Sequence, residues 1–396
     1  MKRLLSLLLV VGMVFSLAAC SGTPSANEDK NTNGGTDQVG QSVAEQGTQA
    51  TTGSEELQGF MMPTDLAPKK IAAVGAYSGN ELYLQWKKNL ESLAEPFNVE
   101  LQFVEVTATD DSASVIESLC TAGIDGIITQ TVSESLVKIA QAHNVAWMVY
   151  CSVISDELMQ ILSGYDNFCG VVAEDDIVTA KHCAEAMYDA GCRKVGVVGL
   201  TRGYSDMMDN RADFFIERFK ELGGEIIAED YTLMQFAGSI STFAAAHPDM
   251  DGVFSIILNE SVFQAVTTEG LVGTVKLGGF DLSDSSPEFY NNGTLVFSAT
   301  GQQATILAAF APLYNYLYDG TYLIEDRAKT VNRSFIEILN SDEYEAYNQY
   351  VRFSTCYAPE EIGYMIKGIN PDYTFADYVK MNEQFSIDDV VARTEG

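Results

Sequence analysis

The residue types that usually carry out catalysis or bind metals do not form a recognisable cluster in this sequence. His143, His182 and His247 are far apart and lack the short spacings of metal ligands. The G-x-S-x-G sequence that presents a nucleophilic serine does not occur. Acidic pairs at residues 110–111 and 175–176 lie in turn-like segments, where carboxylates are more often solvated than catalytic. These observations predict a protein that is not an enzyme and holds no metal or cofactor.

One carboxylate has a position suited to binding. Asp281 directly follows residues 275–280, which the alternation of strand-like and helical segments predicts to be a strand. In open α/β sheets, ligands bind beyond the carboxyl ends of the parallel strands. A carboxylate there can accept hydrogen bonds from hydroxyl or amine groups, and the neighbouring Phe280 can offer an apolar face. The alternative is that Asp281 only caps the turn that follows the strand.

The elements that position this residue alternate between short apolar strands and helices. The pattern begins with a strand at residues 71–77 and continues to a strand at 169–173. It then restarts with a helix at 177–190 and ends with a long apolar helix at about 303–318. Alternation of this kind favours parallel sheets in doubly wound domains. Two such runs predict an α/β protein with two Rossmann-like lobes.

The N-terminus is typical of an export signal. Lys2 and Arg3 precede an apolar run at residues 4–19, which is too short for a transmembrane helix. The run ends in Leu-Ala-Ala before Cys20, and this resembles the lipobox of bacterial lipoproteins, in which the cysteine is acylated. The prediction is a lipoprotein signal and lipobox over residues 1–20. The alternative is a secreted protein in which Cys20 is incidental.

Residues 21–66 predict a disordered tether. The segment is rich in Ser, Thr, Gly, Asn, Gln and Glu, and almost no large apolar side chain occurs in it before Leu57. Such a composition cannot bury enough apolar surface to offset the entropy of the chain. The remaining part, about 330 residues, is long enough for two lobes of ordinary domain size.

The formal net charge is −32 at pH 7. It disfavours nucleic acid as a partner and suits a soluble protein outside the cell. Disulfides are possible in an exported protein, but none of the later cysteines forms a C-x-x-C pair, and spacing does not assign partners. These cysteines are Cys120, Cys151, Cys169, Cys183, Cys192 and Cys356.

Four segments carry a resemblance to a known family: residues 71–79, 195–215, 251–260 and 277–281. In order and spacing they resemble the type I solute-binding proteins of the ribose and galactose kind, which share their core with the ligand domain of the lac repressor. The resemblance covers roughly residues 69–340. It implies the type I periplasmic binding protein fold, in which two Rossmann-like, doubly wound lobes are joined by a three-crossing hinge.

The resemblance also implies the domain boundaries. The crossings are expected near residues 172–176, 297–301 and 320–333. The N-terminal lobe is expected to comprise residues 67–174 and 301–320, and the C-terminal lobe residues 175–300 and 321–340. Residues 341–396, rich in Tyr and acidic side chains, are expected to form a C-terminal extension packed on the lobes.

Family members bind their ligand with side chains that follow the strands of both lobes. An Asn-Asp pair of the family corresponds to residues 259–260 here, and a Phe-Asp pair corresponds to residues 280–281. Residues 298–303 correspond loosely to a segment that often supplies a glutamine. The implied ligand-binding residues are Asn80, Tyr83, Ser152, Asp209, Arg211, Asn259, Glu260, Phe280 and Asp281. Asn259 is equally suited to a turn, and Asp209 to a helix cap.

Two departures from the family bear on the ligand. Cys151 and Ser152 stand where the sugar binders often have Asp-Arg, and Asp209 stands where the first arginine of an Arg-x-Arg sequence usually contacts the sugar. Arg211 matches the second, more structural arginine. The loss of two guanidinium groups removes donors suited to neighbouring hydroxyls, so an ordinary pentose or hexose is disfavoured. The acidic residues that remain favour a ligand that is rich in donors or carries an amine.

The function implied is an extracytoplasmic solute-binding lipoprotein, monomeric and anchored to the cell membrane by lipid. It would capture a small polar ligand (a sugar, a nucleoside or an amine-bearing polyol) and deliver it to the permease of an ABC transporter. One alternative is a surface receptor that reports ligand occupancy to a signalling partner. Another is a surface hydrolase or transferase of α/β type.

Overall fold

The strands form two sheets of six, and each sheet is the centre of one lobe. The computed structural model describes residue 57 and the ranges 59–106 and 111–395. The predicted signal and lipobox, with Cys20, lie outside these residues, as does most of the predicted tether. The last eight residues of the tether prediction, 59–66, are described, and Leu66 is buried against the protein.

The first lobe is built from consecutive strand–helix units. Its elements are β1 (Lys69–Gly75), α1 (Glu81–Ala94), β2 (Val99–Glu105), α2 (Ser112–Thr121), β3 (Gly126–Thr129), α3 (Glu134–Ala142), β4 (Ala146–Tyr150), α4 (Asp156–Leu162) and β5 (Phe168–Glu174). Every residue of β3, β4 and β5 is buried. Helices cover both faces of a parallel sheet, which explains why these strands are apolar throughout and do not alternate.

The second lobe repeats the arrangement. Its elements are α5 (Asp176–Asp189), β6 (Lys194–Leu200), α6 (Asp206–Glu221), β7 (Glu225–Thr232), α7 (Phe236–Ala246), β8 (Gly252–Ser255), α8 (Glu260–Thr268), β9 (Lys276–Phe280), α9 (Ser286–Asn291) and β10 (Leu295–Thr300). A 3₁₀ turn at Gln302–Ala304 then leads into α10 (Thr305–Asp319), which packs on β4 and β5 of the first lobe.

The remaining elements complete both sheets and add an extension. They are β11 (Val331–Arg333), β12 (Ile336–Ile338), α11 (Ser341–Tyr347), a π-helical turn (Asn348–Arg352), α12 (Pro359–Tyr364), α13 (Phe375–Glu383) and α14 (Ile387–Glu395). The strand orders are β11-β5-β4-β3-β1-β2 and β12-β10-β9-β8-β6-β7, with parallel pairing everywhere except between β10 and β12. The first five strands of each lobe therefore share one topology, and the order reverses beside β1 in one sheet and beside β6 in the other. In open α/β sheets, ligands bind beyond the carboxyl ends of the strands, next to such a reversal.

The chain crosses between the two sheets three times. The first crossing follows β5, and the second lies at Gly301, whose φ is 106°. A Cβ at Gly301 would lie 3.3 Å from the main-chain nitrogen of Ile336, so glycine is favoured by space and by conformation. The third crossing lies at residues 334–335. The predicted assignment of residues 321–340 to the second lobe needs correction at β11, because Val331 pairs with Val172 in the first sheet.

The six cysteines after Cys20 are buried and unpaired in the described part of the chain. Their side chains pack as small apolar groups, and the thiols of Cys151, Cys169 and Cys192 also donate weak hydrogen bonds. A separate observation concerns membranes: none of the described helices combines the length and the apolar composition needed for a membrane span.

Candidate ligand-binding cleft

Asp281 lies at the carboxyl end of β9, as the sequence predicts. Its φ of 67° is in the left-handed region, which aspartate and asparagine tolerate better than most residues. The main-chain N–H donates to Ala299, and carboxylate Oδ1 accepts a 3.0 Å hydrogen bond from Nε2 of Gln302. The second carboxylate oxygen accepts no hydrogen bond from the described residues. Burial raises the pKa of Asp281, while the charge of Arg211 and the bond from Gln302 oppose that rise.

Phe280 and Arg211 form the packed layer behind Asp281. The Phe280 ring is fully buried, and the Arg211 guanidinium lies 4.2 Å from its centroid. Nε of Arg211 is 2.6 Å from Oδ1 of Asp176, and Nη1 donates to the carbonyl of Ile256. Arg211 is thus engaged by the protein, in keeping with the structural role of the second family arginine. The apolar face expected from Phe280 is turned into the core.

The first crossing carries two buried carboxyl groups that the sequence does not reveal. Glu174 ends β5 and accepts hydrogen bonds from the Thr305 hydroxyl and from the Cys151 thiol, the latter at 3.2 Å. Burial raises its pKa. Asp176 begins α5 and is only 4% exposed, so the prediction that residues 175–176 are solvated is wrong for Asp176. Burial outweighs the attraction of Arg211 and raises the pKa of Asp176 to about 7.

An aromatic wall on the first lobe faces the second crossing. Tyr83 stacks on Trp86 with centroids 5.4 Å apart, and Trp86 meets Tyr150 edge to face at 5.3 Å. The hydroxyls of Tyr77 and Tyr150 are 3.0 Å apart. The indole N–H of Trp86 donates to the carbonyl of Gln302, whose side chain binds Asp281. Gln302 therefore joins the aromatic wall to Asp281, and it lies within the segment 298–303 that the resemblance matches loosely to a glutamine-bearing segment.

Three of the predicted binding residues are used in local structure. Asn80 caps α1 by accepting the N–H of Tyr83 at 3.0 Å. Asn259 caps α8 through the N–H of Ser261 at 3.1 Å. Asp209 accepts the N–H of Gly203 at 2.8 Å and so fixes the loop after β6. Capping satisfies donors at helix starts and needs only one oxygen. The amide nitrogens of the two asparagines donate no hydrogen bond to a described residue.

The remaining two predicted residues, Glu260 and Ser152, form no hydrogen bond with Asp281. Glu260 is exposed and accepts the Ser285 hydroxyl at 2.9 Å, in a groove between α8 and α9. Ser152 lines a pocket of about 140 Å³ at the first crossing, together with Glu174, Asp176 and Asn210. That pocket has walls from both lobes. No group of three or more potential metal ligands occurs among residues 57, 59–106 and 111–395.

Solved structures share this arrangement of lobes. An ABC transporter solute-binding protein from Actinobacillus succinogenes 130z, with bound D-allose, has a TM-score of 0.60 at 16% identity, over 70% of this chain and 100% of that chain. One from Agrobacterium vitis, with bound D-fucose, has a TM-score of 0.58 at 19% identity, over 70% of this chain and 99% of that chain. This chain has the type I periplasmic binding protein fold. The predicted fold class is confirmed.

A third solved structure with this fold has a cyclic polyol bound. The carbohydrate transporter from Acidothermus cellulolyticus 11B, in complex with myo-inositol, has a TM-score of 0.57 at 16% identity, over 72% of this chain and 99% of that chain. No protein-family model and no curated protein matches the sequence. At identities this low, the TM-scores establish a common fold and nothing more. What each neighbour binds is a property of that neighbour.

Proposed function

We propose that this protein is an extracytoplasmic solute-binding lipoprotein without enzymatic activity. It captures a small polar, sugar-like ligand between its lobes and delivers it to the permease of an ABC transporter. The observation that carries the proposal is Asp281: a partly buried carboxylate at the carboxyl end of β9 with one oxygen held by Gln302 and the other without a described partner. A partly buried acceptor of this kind gains from a ligand that donates to it.

The charges around the cleft favour a ligand that is rich in donors. Asp281, Glu174 and Asp176 are acidic, and the arginine among them, Arg211, is already bound to Asp176 and to a carbonyl. Carboxylates accept hydrogen bonds from hydroxyl and ammonium groups and repel anions. We therefore propose a neutral polyol or an amine-bearing sugar or nucleoside as the ligand, in preference to an acidic one. The bound D-allose, D-fucose and myo-inositol of the solved neighbours are neutral and polyhydroxylated, which supports this class.

A thermal-shift screen followed by calorimetry tests the proposal. The purified protein is heated with panels of sugars, cyclic polyols, amino sugars, nucleosides and, as the contrasting class, sugar phosphates. A true ligand at 100 times its Kd should stabilise the folded state by about 2.7 kcal/mol. The ligand should be recovered chemically unchanged after long incubation. Turnover of the bound compound, or stabilisation by the phosphates alone, would contradict the proposal.

The anchoring part of the proposal predicts the effect of Cys20→Ala. Loss of the acylated thiol should move the protein from the membrane fraction to the soluble fraction. Ligand affinity should be unchanged, because the predicted tether transmits little structure to the lobes. Fractionation of cells that produce either variant, followed by calorimetry on both, measures the two effects. Ser21→Ala is the matched control, and a Cys20→Ala protein that stays in the membrane fraction would contradict lipid anchoring at Cys20.

A further inference from the structure

The C-terminal extension joins the two lobes by a path outside the three crossings. Its first helix packs on the second lobe, where the hydroxyl of Tyr344 donates to the carbonyl of Ser283. Its later helices pack on α10 of the first lobe, where the hydroxyl of Tyr378 donates to the carbonyl of Ala308 at 2.7 Å. Residues 348–358 therefore form a fourth connection between the lobes.

Arg352 stands at the middle of this connection and binds both lobes at once. Its Nε and Nη2 bind the two carboxylate oxygens of Glu81 at 2.5 and 2.8 Å, and its Nη1 binds Asp284 at 2.8 Å. Glu81 is the first residue of α1 in the first lobe. Asp284 follows β9 in the second lobe, three residues after Asp281. The two carboxylates thus belong to the loops that carry the candidate site.

The neighbours of Arg352 hold the connection at the same place. The Tyr347 hydroxyl, which is buried, accepts hydrogen bonds from Thr300 at 3.2 Å and from Gln303 at 3.0 Å, on either side of the second crossing. On the first lobe, Nζ of Lys88 donates to the carbonyl of Phe353 at 3.0 Å. These contacts orient the guanidinium between its two carboxylates.

We propose that residues 341–395 are a strap and that Arg352 is its latch, a positioning residue that holds the lobes together and sets how readily the cleft opens. Opening separates Glu81 from Asp284, and one guanidinium group cannot follow both. The fork of three donors is specific to arginine, since lysine offers a single ammonium group. Without Arg352 the two carboxylates lose the group that joins them, which favours the open state.

Hydrogen–deuterium exchange on the full-length chain tests the latch and needs no ligand, so its outcome does not depend on the proposed function. Arg352→Gln should raise amide exchange at least about fivefold in peptides covering residues 76–83 and 281–285, because more frequent opening exposes them. Arg352→Lys should give an intermediate rate. Peptides from the buried strand β4 should exchange as in the unmodified protein.

Arg218→Gln is the matched control for Arg352→Gln. Arg218 also bridges two carboxylates, Glu185 and Glu221, but both belong to the second lobe. This variant changes the net charge equally and should leave exchange at the cleft peptides unchanged. Glu81→Gln and Asp284→Asn should each reproduce the effect of Arg352→Gln. Unchanged exchange at both cleft peptides would overturn the proposal, and so would an increase that extends equally to β4, which indicates general destabilisation.

Discussion

Replacing Arg211 with Met should lower the free energy of unfolding by about 3–5 kcal/mol, the usual cost of leaving one charge of a buried pair without its partner. Arg211 is 2% exposed and Asp176 is 4% exposed. Methionine can fill the space beside Phe280, so the lost stability reports on the missing charge and not on a missing side-chain volume. Urea unfolding at pH 8 measures it, because Asp176, whose pKa is about 7 beside Arg211, is largely ionised there in the unmodified protein.

A second substitution separates the charge from the packing. Asp176→Leu combined with Arg211→Met removes both charges and should restore most of the lost stability, because apolar replacements of buried ion pairs are often neutral or stabilising. The cost of Arg211→Met alone should also be smaller at pH 5 than at pH 8. Between about pH 4 and 7 folded Asp176 keeps its proton and the unfolded state releases it, so stability falls with rising pH in both proteins. Above pH 7 only the variant goes on losing stability, because without Arg211 the pKa of Asp176 is raised further. A double variant as unstable as Arg211→Met would show that the guanidinium acts through its packing.

The lobes could be predicted from the sequence because local patterns encode them. The apolar run predicted at residues 195–200 is β6, and the predicted helix at 303–318 is the 3₁₀ turn followed by α10. Parallel strands covered on both faces need continuous apolar runs, and these are visible without any tertiary information. The third crossing lies after the predicted range of 320–333, because β11 is only three residues long and too short to give a periodic signal.

The charged groups of the cleft could be predicted only where they directly follow a strand that the sequence pattern predicts. Asp281 follows a strand that the sequence predicts. Asp176 lies in an acidic, turn-like segment, and its burial depends on Arg211, which is 35 residues away. The latch depends on pairing between Arg352 and Glu81, which are 271 residues apart. Contacts across such distances depend on the relative position of two lobes and leave no local pattern in either segment.

The site itself is tested by replacing Asp281, and the choice of substitution follows from the backbone. At a φ of 67°, alanine would add conformational strain, whereas asparagine tolerates the left-handed region. Asp281→Asn also keeps an oxygen that can accept the hydrogen bond from Gln302, so the ligand-free melting temperature should barely move. What it removes is the negative charge. Asp281→Ala removes the acceptor as well and should lower the melting temperature through strain.

Ligand affinity should fall in a graded order. A hydrogen bond to a charged group contributes about 1.5–3 kcal/mol, which corresponds to roughly 10- to 150-fold in Kd. Asp281→Asn should weaken binding by about tenfold and Asp281→Ala by more, both measured by calorimetry with a ligand found in the screen. Glu269→Gln, an exposed charge change on the same lobe, should bind normally. If Asp281→Asn binds as tightly as the unmodified protein while Asp281→Ala only melts earlier, then Asp281 is a turn residue and the ligand is held elsewhere in the cleft.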